Sequence, residues 1–168
     1  LGVTDITGLD GDYVDRERLL IPAAMFKACN LENGFALDRQ FDIVQCLEVA
    51  EHIPASGASE LVNNLCNHGK LVLFSAAPPG QGGDHHINEQ PYEYWRELFQ
   101  RHQYEPYDYV RPRITSSSEI EPWYRYNIVL YASRDIADDL PEAVRATKVP
   151  AAQKLKDLSP IAYKLRKS

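Results

Sequence analysis

Short apolar runs, each closed by a polar turn and spaced by helix-length segments, dictate what this chain can fold into. Residues 41–47 (Phe-Asp-Ile-Val-Gln-Cys-Leu) and 71–74 (Leu-Val-Leu-Phe) are the clearest two. The second is almost continuously apolar, as strands of a parallel sheet covered on both faces are. Between them residues 56–67 predict a helix, with Leu61, Val62 and Leu65 on one face, Ser56 placed to cap its start and His68-Gly69 to end it. Upstream, residues 3–9 form a strand-like run closed by Asp10-Gly11-Asp12. Residues 13–20 suit a helical turn or two, and residues 24–29 form a second short strand that exits through Asn30 to Gly34.

After the strand at 71–74 comes a polar, glycine-rich loop over 77–90. Residues 92–102 then predict an amphipathic helix whose apolar stripe is Tyr94, Trp95, Leu98 and Phe99. Late strands are predicted at 107–110 and 124–132, joined by a loop over 112–122. Strands alternating with helices predict an α/β, doubly wound sheet. The two late strands leave no room for a crossover helix, so they are expected to pair antiparallel.

The 168 residues, 44% of them hydrophobic, suit one globular domain. The net charge of −6 argues against a general nucleic-acid binder. Charge is uneven, however. Seven of the 18 Lys and Arg residues lie after residue 144 (Arg145, Lys148, Lys154, Lys156, Lys164, Arg166, Lys167), with Asp157 the one acid among them. Residues 135–168 are therefore read as a basic helical tail behind a body at 1–134. Such a tail is either a solvated helix or a contact for phosphate or a membrane surface. Cys29, Cys46 and Cys66 show no CxxC spacing, which suits a reducing, cytoplasmic setting. No run approaches the length of a membrane span and no signal peptide is visible. A chain that opens on Leu1 is expected to be processed or cut from something longer.

In open α/β sheets ligands bind beyond the carboxyl ends of the strands. Four such ends carry polar residues. Asp10-Gly11 offers a carboxylate able to accept both hydroxyls of a ribose, or is an ordinary turn. Asn30-Leu31 could read an adenine edge. Glu48-Val-Ala-Glu51-His52 follows the strand at 41–47, and one helical turn there would put Glu48, Glu51 and His52 on one face. Two carboxylates and an imidazole can hold a divalent cation, do acid–base work, or stand as a charged turn. The fourth end, the loop with Asp84-His85-His86, could close over the site.

Several phrases in order resemble the class I S-adenosylmethionine-dependent methyltransferases over residues 1–134. They are residues 6–12, the stretch 41–54 with Leu-Glu-Val-Ala-Glu-His-Ile-Pro, residues 69–75, and Pro79-Gly-Gln-Gly-Gly83. His86-Ile-Asn-Glu-Gln90, Tyr94-Trp95 and residues 123–127 follow. The resemblance implies a Rossmann-like sheet, mostly parallel with an antiparallel last strand. It implies that Asp10, with Gly11 in its turn, binds ribose. Asn30 falls where the family usually has Asp facing adenine, and Leu31 would lie against the ring. Leu47 and Glu48 would border the methionine end. The family's strand 1 and glycine-rich turn precede the strand that opens this chain. The resemblance therefore implies a domain lacking strand 1, weak binding of S-adenosylhomocysteine by this stretch alone or none, and self-association through exposed sheet edges.

In plant small-RNA methyltransferases and ubiquinone-pathway O-methyltransferases, a similar Glu-x-x-Glu-His motif binds a metal near the methyl acceptor. In the former a later His completes the set. The resemblance thus implies a site for Mg²⁺, Mn²⁺ or Zn²⁺ at Glu48, Glu51, His52 and His86. His86 is preferred to His85 because the family's His lies two residues before Asn, as His86 precedes Asn88. In the metal-free alternative, Glu51 and His52 are catalytic residues with His52 as general base, or His52 only packs. The expected function is methyl transfer to an oxygen of a small molecule or glycan, with no duplex nucleic acid as partner. The rivals are an NAD-binding Rossmann enzyme, which explains Asp10 but not the Glu48–His52 cluster, and a non-catalytic interaction module.

Overall fold

The computed structural model describes residues 2–159. Six strands and five α-helices follow one another as β1 (Gly8–Asp10), β2 (Phe26–Ala28), β3 (Val44–Leu47), α1 (Ala58–His68), β4 (Leu71–Ser75), α2 (Tyr92–Arg101), β5 (Tyr104–Tyr107), α3 (Arg111–Ile114), α4 (Pro122–Asn127), β6 (Val129–Ser133) and α5 (Glu142–Arg145). β1 and β2 pair in parallel as a separate two-stranded sheet. The other strands form a sheet in the order β3-β4-β6-β5. β3 and β4 are parallel, and β6 runs antiparallel to both of its neighbours.

The alternation in β4 places the two faces. Val72 and Phe74 point into the larger core with Leu61, Val62 and Leu65 of α1 and Trp95, Leu98 and Phe99 of α2. Leu71 and Leu73 face a second core with Tyr107, Leu130, Leu140 and Val144 of α5. The sheet is thus covered on both sides, which is why β4 reads as a continuous apolar run. Aromatic packing joins α2 to the sheet: Phe99 stacks on Tyr131 at 3.9 Å between ring centroids, and Phe74 meets Trp95 at 5.2 Å.

Tyr104 closes the C-terminal end of α1. Its buried hydroxyl lies 2.9 Å from the Cys66 carbonyl oxygen and 2.8 Å from that of Gly69, groups that no further helical turn reaches. Tyr104→Phe is expected to cost about 1–2 kcal/mol, since a buried carbonyl loses its donor while ring packing stays. Urea denaturation checks it, and an unchanged midpoint would show that water replaces the hydroxyl.

Three expectations change. Gly57 rather than Ser56 stands at the N-cap of α1, without a side-chain cap. The stretch at 111–127, expected as loop and strand, holds two short helices. Pro112 and Pro122 sit in their first turns, where the missing N–H costs nothing and the fixed φ favours helix. The strand expected at 107–110 lies instead at Tyr104–Tyr107, directly after α2, and it is this strand that pairs antiparallel with β6.

The expected helical tail is helical over α5, but residues 149–158 run on without helix as a strap along the body. Arg96, 2% exposed, donates to the carbonyls of Val149, Pro150 and Gln153. Glu93 accepts from Leu155 N–H at 2.8 Å, and Val149 and Leu155 join the larger core. Arg111, fully buried, pairs with both carboxylate oxygens of Asp108 at 2.8 Å and donates to the carbonyls of Tyr126 and Lys156. Of the basic tail residues, Lys164, Arg166 and Lys167 lie outside the described residues. Among the described residues no helix is long and apolar enough to cross a membrane.

Candidate functional site

A cavity of about 880 Å³ opens at the carboxyl ends of β1, β2 and β3, a volume that suits a ligand of cofactor size. Asp10, Gly11, Asn30 and Leu31 line one end, and Glu48 and His52 the other. Asp10 ends β1, and its carbonyl accepts from Cys29 N–H at 2.7 Å, so the Asp10 and Asn30 turns lie side by side. The Asp10 carboxylate accepts on Oδ1 from Gly11 N–H at 2.7 Å and from the Tyr13 hydroxyl at 2.6 Å. Asn30 caps the turn Leu31–Asn33, its Oδ1 accepting from Glu32 N–H. That oxygen keeps one further lone pair as an acceptor.

The chain leaves β3 sharply. Glu48 has φ of 53°, and its N–H lies 3.0 Å from both the carbonyl and the hydroxyl oxygen of Ser75. A left-handed non-glycine residue at such a point is held by its surroundings. Here a buried amide chain holds it. Burial keeps the Tyr92 phenol above its ordinary pKa, and its hydroxyl donates to Asn127 Oδ1 at 3.0 Å. Asn127 Nδ2 is thereby fixed as the donor to Gln81 Oε1 at 2.8 Å and Glu48 Oε1 at 3.3 Å, while Gln81 Nε2 donates to Glu48 Oε2 at 3.0 Å. Both Glu48 oxygens are therefore engaged.

Beyond Glu48, the turn Ala50–His52 presents a different arrangement. Glu51 is 0% exposed, and neither of its carboxylate oxygens has a hydrogen-bond partner. Desolvation, with the neighbouring Glu48 charge, pushes its pKa well above the usual carboxylate range. The Glu51 carbonyl accepts from the N–H groups of both Ile87 and Asn88 at 3.0 Å, pinning the 77–90 loop against this turn. His86 from that loop brings Nε2 to 4.0 Å from Glu51 Oε1. One ligand atom each from Glu51, His52 and His86 lies within 4.8 Å of the others.

Both imidazoles are oriented from behind. His86 Nδ1 is 3.0 Å from Glu89 Oε1, and His52 Nδ1 is 3.2 Å from the carbonyl oxygen of His85. Each Nδ1 meets an acceptor, so in the neutral ring Nδ1 carries the proton and Nε2 keeps a lone pair toward the cluster. A buried carboxylate facing two such nitrogens is a set of donors that could hold a divalent cation.

The sequence-predicted residues thus divide. Asp10, Gly11, Asn30, Leu31 and Glu48 line the cavity. Glu51, His52 and His86 come together. Leu47 is not among the residues lining the cavity, and Glu48, whose two oxygens accept from Gln81 and Asn127, is not in the group of converging ligand atoms. The turn Ala50–His52 is a tight 3₁₀ turn, so Glu48 does not share the face that one α-helical turn would give. Sequence reasoning missed Gln81, Asn127 and Glu89. Only Glu89 left a signal, lying three residues after His86.

No protein-family model matches the chain, and no curated protein matches it. Among solved structures it is similar to the small RNA methyltransferase HEN1, with a TM-score of 0.54 and 20% identity over 78% of this chain. The chain has a Rossmann-like methyltransferase fold. Weaker likenesses are to magnesium protoporphyrin IX methyltransferase (ChlM) from Synechocystis PCC 6803 with bound SAH and to YcgJ from Bacillus subtilis. Their TM-scores are 0.46 and 0.41, with 17% and 15% identity, each over 65% of this chain. The chain spans 51% of the ChlM chain, 20% of the HEN1 chain and 70% of the YcgJ chain.

Proposed function

We propose that this chain forms the S-adenosylmethionine and metal-binding part of an O-methyltransferase. One observation carries the reading: a single cavity runs from the Asp10 turn to His52, and His52 is also one of the three residues, with Glu51 and His86, whose ligand atoms converge. Asp10 accepts the ribose hydroxyls there, the Tyr13 hydroxyl giving way. Asn30 and Leu31 receive the adenine, and Glu48 borders the methionine end. The bound cofactor supplies an electrophilic methyl on a sulfonium, and the bound metal supplies Lewis acidity toward an acceptor hydroxyl. Glu51, His52 and His86 hold the metal through one oxygen and two imidazole nitrogens, a set that suits Mn²⁺ or Zn²⁺ better than Mg²⁺. In the metal-free alternative His52 Nε2, unprotonated because Nδ1 donates to His85, takes the acceptor proton.

The acceptor is read as a hydroxyl of a small molecule or glycan, because the net charge of −6 disfavours a polyanion. HEN1 is a small RNA methyltransferase, so single-stranded RNA belongs in the acceptor screen. The fold reading extends by one strand. β3 has a neighbour on one side only and β1–β2 stand as a separate pair, the arrangement expected where the family's first strand lies between them.

Calorimetric titration at millimolar ligand tests the cofactor assignment. S-adenosylhomocysteine is expected to bind and NAD not to. Asp10→Ala is expected to weaken binding at least about tenfold through the loss of charge-assisted hydrogen bonds. Preference for NAD would establish the dinucleotide reading. Binding of neither at millimolar ligand would overturn the cofactor assignment for this stretch.

A further inference from the structure

We propose that Glu89 is a positioning residue that fixes the tautomer of His86 and ties it to the glycine loop. This inference rests on the metal-site reading above but concerns a residue outside the ligand set.

The Glu89 carboxylate is shared three ways. Oε1 accepts from Gly82 N–H at 2.7 Å and from His86 Nδ1 at 3.0 Å, and Oε2 accepts from Gly80 N–H at 2.8 Å. Gly80 and Gly82 have φ of 84° and 67°, values that glycine adopts without cost and other residues rarely do. A Cβ at Gly83 would lie 2.3 Å from His86 Nε2, so the loop backbone passes directly against the imidazole. One carboxylate therefore folds the loop and sets the ring.

The consequence for His86 is chemical. With an acceptor at Nδ1, the proton resides there, and the Nε2 lone pair faces Glu51. Without that acceptor, nothing holds the proton at Nδ1, and a proton on Nε2 would point into the cluster and block coordination. Loss of a partner of this kind behind a metal-bound His typically lowers metal affinity about 10–100-fold.

The experiment compares wild type, Glu89→Ala and Glu89→Gln in ¹⁵N-labelled, metal-free protein. Long-range ¹H–¹⁵N spectra report which nitrogen of each imidazole is protonated. His86 is expected to carry its proton on Nδ1 in wild type and to lose that preference in both variants. His68 serves as the internal reporter of folding. Its Nδ1 donates to Asn64 O at 2.6 Å and its Nε2 accepts from Leu37 N–H at 2.8 Å, so its signals should not move. Mn²⁺ titration followed by electron paramagnetic resonance is expected to show a 10–100-fold weaker site in the variants. An unchanged His86 tautomer with intact His68 signals overturns the proposal, and so does a changed tautomer with unchanged Mn²⁺ affinity. If wild type binds neither Mn²⁺ nor Zn²⁺ while the tautomer still follows Glu89, the positioning role stands and the metal reading fails.

Discussion

Replacing Glu51 by Met is expected to raise the stability of the metal-free protein while abolishing its chemistry. The Glu51 carboxylate is fully buried beside the Glu48 charge, and neither oxygen has a well-formed hydrogen bond. A buried polar group in that state costs free energy that an apolar side chain of similar length does not. The gain on substitution is put at about 1–3 kcal/mol, and denaturant unfolding in chelator measures it. Mn²⁺ or Zn²⁺ affinity and methyl transfer should both fall by more than about 100-fold, as the cluster loses the ligand whose charge balances the cation. A carboxylate kept for structure would behave oppositely, with its loss lowering stability. A variant with lower stability and unchanged metal binding would sink the assignment. Should His52→Ala alone stop turnover while chelator leaves wild-type activity intact, the general-base reading takes its place.

The second large effect lies away from the site. Asp108→Ala is expected to cost about 3–5 kcal/mol, because it leaves the wholly buried guanidinium of Arg111 without its counter-ion. Two carbonyls, those of Tyr126 and Lys156, would remain on Nη1, while Nε and Nη2 lose both partners. Arg111→Met should cost less, since it removes the charge together with the need to pair it. The ratio of the two midpoint shifts in guanidinium chloride checks the argument, and equal shifts would mean that packing rather than charge holds this corner.

The legible parts of the sequence were those where one periodicity acts over many residues. The apolar run of β4 and the stripe Trp95, Leu98 and Phe99 of α2 announce burial, and the structure buries them. Asp10, Glu51 and His52 were legible because polar residues directly after apolar strands sit at the ligand-binding edge of such sheets. What could not be read was set by contacts distant in sequence. The partners of Glu48, Gln81 and Asn127, come from 33 and 79 residues away. The aromatic run at 123–127 suggested a strand, but Pro122 at a helix start and the packing of Tyr126 and Asn127 made it α4. The part of 149–158 beyond α5 is basic and looks like a solvated helix, yet backbone carbonyls, which no side-chain pattern reveals, draw it onto Arg96 and Arg111.

That strap has a practical consequence for anyone who shortens or tags the protein. β6 ends at Ser133, and a boundary drawn there would follow the sheet while cutting through the interior. Arg96 would lose the three carbonyls that solvate it and Arg111 one of its two. The groove left by Val149 and Leu155 would open the aromatic layer beneath α2 to water. A preparation trimmed at that point would keep Arg96 with Glu93 and Arg111 with Asp108 but leave both guanidiniums short of partners in an oily cleft, and its insolubility would say nothing about the chemistry at the other end of the sheet.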